Sequence, residues 1–209
     1  MPRPRPWIAS YGDPSVEFVN TRWARLTPTP RETLRHATDL LDWLALKEMM
    51  DEETYRRWSV RLRRSTGLAR RVLREAIKIR EAIHAIYWAL VEHRQARRED
   101  IECLNAALTA ATSHPTLVVV APRVFRVRDA IPNSARSALV APVALRAVHI
   151  LVQDLRRLRR CSNHECGLLF FDRTKTGRRR WCDMARCGAR AKMREYRRRT
   201  TRARRASEA

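Results

Sequence analysis

Four cysteines, Cys161, Cys166, Cys182 and Cys187, fall within 27 residues in the spacing C-x4-C-x15-C-x4-C. Two local thiolate pairs separated by one loop are what a tetrahedral zinc site needs. Each pair pre-organises two soft donors about 2.3 Å from the metal, and only one loop has to close. Four thiolates complete a closed, structural site for one Zn2+. A catalytic zinc instead keeps a position open for water. His164 sits inside the first pair and is read as a solvent-facing histidine, and Cys103 as a small core residue.

The elements around these cysteines follow from local pattern. Gly167 turns the chain after Cys166, Leu168–Phe171 is strand-like, and Asp172–Gly177 is a turn. Arg178–Trp181 then returns as a second strand, and a helix runs from Gly188 to about Arg199. This is a treble-clef-like layout. On that helix Arg190, Arg194, Arg197 and Arg198 share one side, with Lys192 and Arg199 elsewhere. Ala189, Met193 and Tyr196 are expected to pack on Trp181 and Phe170. Arg178 and Arg180 point away from Arg179 across the strand. Asp172 is expected to hold an arginine in a structural pair.

The charge balance selects the partner. The chain has 209 residues, 44 basic against 22 acidic, and a formal net charge of +22. Of that, +14 lies in the last 54 residues. Such a field attracts a polyanion, nucleic acid more commonly than a membrane surface. Arg178, Arg179, Arg180, Arg190, Lys192, Arg194, Arg197 and Arg198 are the candidate nucleic-acid-binding residues. Phosphate contacts would give salt-sensitive, sequence-blind binding, and base-edge contacts would give specificity. The first residues alternate Pro and Arg, with no apolar signal region, and no apolar run reaches a membrane-spanning length. A reducing, cytoplasmic and nucleoid-associated location is expected, without membrane contact.

Upstream the pattern is mainly helical. Helices are expected over Arg31–Ala45, Asp51–Arg64, Leu68–Arg94, Arg98–Ala111 and Ala135–Leu158, the last disturbed at Pro142. Val16–Thr21 is either a strand or the start of a helix. Thr116–Ala121 and Val124–Arg128 read as a β-hairpin. Arg156–Arg160 reads as a basic hinge. The fold class is therefore mainly α with a small β-hairpin (α+β), followed by the zinc finger. Asn20, Thr21 and Arg22 mark a candidate ligand pocket, although a turn or capping role for Asn20 is the commoner one. No phosphate loop, nucleophile elbow or paired carboxylates occur, so no enzymatic activity is expected.

Several strings resemble known families. Cys161-x4-Cys166-Gly167, Leu169–Thr174, Arg179–Met184 and Cys187–Lys192 resemble the CGNR zinc finger. Its naming motif reads Cys187-Gly188-Ala189-Arg190 here, with alanine in the asparagine position. That change removes whatever contact the asparagine side chain makes and leaves the metal ligands untouched. Phe18–Thr21, Asp39–Leu44 and Leu73–Ala76 resemble the ABATE domain that precedes such fingers. The resemblance implies a bacterial transcription regulator with a DNA-binding finger and an N-terminal domain that senses a ligand or dimerises. The implied organisation is a disordered arm (1–13), an ABATE-like domain (14–155), the finger (156–200) and a basic disordered tail (201–209). An RNA- or ribosome-associated protein and a zinc-dependent protein-interaction adaptor are the alternatives.

Overall fold

The computed structural model describes residues 10–109, 116–121, 124–128, 134–153 and 155–207. Residues 1–9, most of the expected N-terminal arm, and the loop at 131–133 lie outside the described residues.

The organising element is α4, Thr66–Val91. Val72, Ala76, Ile79, Ile83, Ile86 and Tyr87 recur every three to four positions and are all buried, which gives the helix one continuous apolar face. Each such side chain contributes roughly 1.5–3 kcal/mol on burial. Ser65 starts the helix by accepting from the Leu68 amide (3.3 Å). Gly67 lies in the first turn of α4, which starts two residues before the expected Leu68. Before it come α1 (Pro14–Val19), α2 (Ala37–Leu46) and α3 (Glu52–Arg64). After it come α5 (Arg98–Thr109) and α6 (Ala141–Leu151).

The ambiguous segment at Val16 resolves as helix α1. Asp13 caps it by accepting from the Ser15 amide (2.8 Å), with Pro14 in the first turn. Ser15, Val16, Glu17, Phe18 and Val19 are all buried. Residues 11–13, expected to belong to a disordered arm, are part of this packing: Tyr11 and Asp13 are buried.

The helix expected from Arg31 starts only at Ala37. Glu32 is the reason: its carboxylate accepts from the Thr33 and Leu34 amides (both 2.9 Å) and forms a two-pronged pair with Arg80 (both contacts 2.6 Å). Arg31–Glu32 is strand β2, paired with β1 (Arg22–Trp23). Arg80 is fully buried yet satisfied, since it also bonds Glu81 (2.9 Å) and the Thr21 hydroxyl (3.0 Å). Burial opposes the charge on Glu81, but the Arg25 hydrogen bond and the Arg25 and Arg80 charges outweigh it and hold its carboxyl at about 2.

The hairpin forms as expected from β3 (Thr116–Ala121) and β4 (Val124–Arg128), with a register shift between Val119 and Ala121. The disturbance near Pro142 is a π turn over Arg136–Val140, in which the Ala141 amide bonds Arg136. The helix then ends at Leu151 rather than Leu158. What reads as a hinge is strand β5, Leu158–Arg160.

One titratable group sits poorly inside this fold. His84 stacks on Trp88 with centroids 5.5 Å apart, and its Nε2 is buried without a hydrogen-bond partner among the described residues. Burial, with the Arg25 charge behind it, lowers its pKa to about 4. The unfolded value is about 6.5. The folded value is the lower one, so the stability associated with neutral His84 is complete above about 6.5 and is lost as the pH falls towards 4. Thermal melts between these limits should show a loss of roughly 2–3 kcal/mol, and His84→Gln should flatten that part of the profile.

Candidate metal centre and basic surface

The four cysteine sulfurs lie within 4.8 Å of one another. Cys166 and Cys182 are 3.6 Å apart at sulfur, and Cys182 and Cys187 are 3.7 Å apart. Four thiolates placed tetrahedrally about 2.3 Å from one ion stand about 3.8 Å from each other, so the cluster has the size of a four-sulfur zinc site. The thiols also need a cation to ionise together. Hydrogen bonds that the Cys182 thiol donates to the Cys161 and Cys166 sulfurs, with burial, push Cys182 far above an ordinary thiol. A bound divalent ion reverses that preference and takes all four as thiolates.

Local hydrogen bonds build each ligand pair. The Cys166 amide bonds the Asn163 carbonyl (2.9 Å) and closes the first turn, and the Cys161 amide bonds Leu168 (2.9 Å). Gly167, at φ +64, follows. In the second pair Asp183 caps a π turn, Met184–Gly188, by accepting from the Arg186 amide (2.9 Å), and the Cys187 amide returns to the Asp183 carbonyl (3.0 Å). Buried Asn163 supports the centre from outside: its side-chain amide donates to the Cys187 sulfur (3.6 Å) and its carbonyl accepts from Arg194 (3.0 Å). Nothing in the spacing singles Asn163 out, because its partners lie 24 and 31 residues away.

The strands around the centre differ from the expected hairpin. β6, Leu169–Phe171, pairs antiparallel with β5 rather than with residues 178–181. Segment 178–181 is held by side chains instead. Asp172, fully buried, accepts from the Thr174 amide (3.0 Å), the Thr174 hydroxyl (2.7 Å) and the Arg179 amide (2.8 Å). Burial works against its charge, but these bonds hold its pKa below the ordinary carboxylate value. It holds the Arg179 backbone, and the guanidinium it pairs with is that of Arg159, at 3.9 Å, rather than one from 178–180.

Helix α7, Ala189–Ser207, follows the last ligand and runs well past Arg199, through residues expected to be a disordered tail. No Gly or Pro interrupts 189–207, and Arg and Ala are good helix formers. The helix is also rotated from its expected setting. Met193 (53% exposed) and Tyr196 (67%) face solvent, and Ala189 is exposed too, so none of the three forms the packing side. A π turn carries one more residue than an α turn, which moves later positions round by about 100°.

The eight candidate cations divide accordingly. Arg179 turns inward: its Nε donates to the Trp181 carbonyl (2.8 Å), it also bonds the Cys182 carbonyl, and its guanidinium covers Phe170 at 5.0 Å. Arg194 is half-buried against Asn163. Arg178, Arg180, Arg190, Lys192, Arg197 and Arg198 are more open to solvent. Arg180 lies over the Trp181 ring (5.0 Å) and borders a groove with Lys192, Tyr196 and Arg199.

The finger is not hung on a flexible hinge. Asn20 at the end of α1 grips the backbone of Leu169 in β6, donating to its carbonyl (2.8 Å) and accepting from its amide (3.2 Å). The Phe171 amide bonds Tyr11 (2.8 Å). Gly12, at φ +91, allows a contact so close that an added Cβ would stand 2.1 Å from the Phe171 carbonyl oxygen. Leu168, Leu169, Phe170 and Phe171 share one hydrophobic cluster with Val16, Phe18 and the α4 residues. Of the candidate pocket residues, Asn20 therefore serves as this clamp and Thr21 is bonded to Phe18 (2.7 Å) and Arg80. Arg22 alone borders a groove, with Arg25, Leu26, His84 and Trp88. Asn20→Ala leaves two buried backbone groups of Leu169 without partners, a cost of about 2–4 kcal/mol. Chemical denaturation should report it, together with faster amide exchange in β6.

Two family models match the chain with this geometry. Residues 157–200 match the CGNR zinc finger, which takes in all four cysteines. Residues 12–154 match ABATE, described as "putative stress-induced transcription regulator". No curated protein matches the chain. Ala189, in place of the family asparagine, is exposed, and the turn before it is capped by Asp183, so the substitution leaves the metal centre intact. The ABATE model covers more than half of the chain and the finger model most of the rest; the protein belongs to the ABATE family and carries a CGNR zinc finger built to hold one zinc ion.

Proposed function

We propose that the protein is a DNA-binding transcription regulator whose zinc centre holds α7 against duplex DNA. The observation that supports this most is the basic helix of 19 residues anchored on the four-cysteine cluster. Arg178, Arg180, Arg190, Lys192, Arg197 and Arg198 supply the phosphate contacts. Arg179 and Arg194 set the finger's shape. The clamp between α1 and β6 makes the N-terminal domain a rigid mount, so a ligand or a second copy bound there can reorient the helix at the nucleoid. Neither matching family is an enzyme family.

Selection of bound duplexes from random DNA, with zinc and with a chelator, tests this reading. Enrichment of a duplex motif only with zinc is the expected result. Recovery no better than that of a neutral protein of equal size would end it.

A second reading, binding to single-stranded nucleic acid or RNA, is favoured by one observation. Exposed Tyr196 and half-exposed Trp181 flank the groove bordered by Arg180, Lys192 and Arg199. Aromatic rings beside cations suit unstacked bases. Competition between duplex, single strand and structured RNA separates the two.

A further inference from the structure

Helix α7 carries an uncharged face between its charges. Successive residues of an α-helix are about 100° apart, so Ala189, Met193, Tyr196 and Thr200 fall along one line, within about 60° of each other. All four are exposed, and the half-buried positions, Ala191 and Arg194, lie on the opposite side. Cations border this stripe on both flanks. Arg190 and Arg197 follow one edge, Lys192 and Arg199 the other, and all four are exposed. Residues 189–201 hold six cations against one carboxylate, Glu195. Its pair with Arg199 (3.0 Å) is exposed and therefore holds that arginine only weakly. The thiolate centre lies behind the helix, on the side of Arg194, which reaches Cys187 through Asn163.

We propose that this stripe reads base edges in the major groove of duplex DNA, while the two flanking rows bind the phosphates of its opposite walls. A groove about 12 Å wide admits one α-helix of about 10–12 Å diameter. A single anionic strand would engage one flank; two cationic flanks around an uncharged centre match a groove with two phosphate walls. Met193 to Thr200 rises about 10 Å along the axis, the length of about three base pairs. The stripe holds no Asn, Gln or Arg for a bidentate contact to a purine, and the Thr200 hydroxyl donates to the Tyr196 carbonyl (3.0 Å). What it presents is largely apolar, so the feature it recognises is the thymine methyl group. This assignment rests on the DNA-binding reading and adds to it the residues that confer sequence preference.

Titration of the zinc-loaded full chain with the duplex recovered by selection, and with a shuffled duplex of equal length and composition, tests the stripe. Met193→Ala/Tyr196→Ala/Thr200→Ala should cut the preference for the recovered duplex about tenfold or more, with zinc content and melting temperature retained. Arg197→Ala should weaken both duplexes by the same factor and keep the preference. Replacing thymines of the recovered duplex one at a time by deoxyuridine should cost the parent about fourfold at each contacted position, and the triple variant should not register the change. An unchanged preference in the triple variant, an equal loss on both duplexes, or indifference to every thymine methyl overturns the proposal. Zinc-dependent duplex binding with any of these results, or with no motif enriched, overturns the base readout alone and leaves the regulator standing. Failure to bind any duplex overturns both. Tighter binding of single strands, lost in the triple variant, would make the stripe a stacking surface and overturn the groove assignment.

Discussion

Replacing Arg178, Arg197 and Arg198 together by alanine should weaken duplex binding roughly 10²–10³-fold at moderate salt. All three lie at the surface, and the folded finger does not depend on them. Removing each phosphate-binding side chain should also flatten the dependence of log K on log salt by about 0.9. The variant should keep its zinc and its melting temperature, because none of the three touches the metal centre or the shared core. A matched pair at the inward-facing arginines should behave differently. Arg179→Ala and Arg194→Ala remove hydrogen bonds to the Cys182 carbonyl and to Asn163, so they should lower stability as well as affinity. Electrophoretic mobility shifts over a salt series, alongside thermal melts, distinguish the two classes. Equal affinity and equal salt slope in the triple variant would remove α7 and its neighbouring loop from the interface.

The second large effect lies at the metal. Cys187→Ser should abolish stoichiometric zinc binding and unfold the finger, because structural zinc contributes about 10 kcal/mol or more to small domains of this kind. The Cys187 sulfur also accepts from Asn163, which in turn holds Arg194. Loss of this one ligand therefore frees the first turns of α7. The damage should spread beyond the finger. Leu169 and Phe170 are fully buried in the same cluster as Phe18 and Val16, so the melting temperature of the whole chain should fall. A variant that loses zinc but melts like the parent would show that the finger adds nothing to the N-terminal core. DNA affinity should fall with the metal in either case.

The zinc site was legible in the sequence because its information is local. Two short cysteine pairs and one loop of ordinary length define it without any knowledge of the rest of the chain. The long helix α4 was legible for the same reason, through its own apolar period. What escaped depends on distant partners. Asn20 reads as a turn residue beside a pocket until Leu169, 149 positions away, is placed against it. Leu158–Arg160 reads as a hinge because three residues carry too little pattern to announce a strand, and its pairing with β6 is set by the tertiary fold. The helix expected at Arg31 is displaced because Glu32 is recruited by Arg80, 48 positions on. The face that α7 presents is set by a local event with no sequence signal, the π turn that carries Cys187. It is longer than its pattern suggests because a run of arginines reads as a solvated tail, whereas nothing in it stops a helix.

Whether one zinc ion holds the finger and its basic helix rigid is best decided by amide exchange of the full-length reduced protein, with its metal content measured before and after chelation. One zinc ion per chain is expected, with slow exchange at Cys161–Phe171 and in the first turns of α7, and loss of that protection when the metal is withdrawn. A reduced protein that carries no zinc, or one whose finger stays equally protected after the metal is gone, would contradict this.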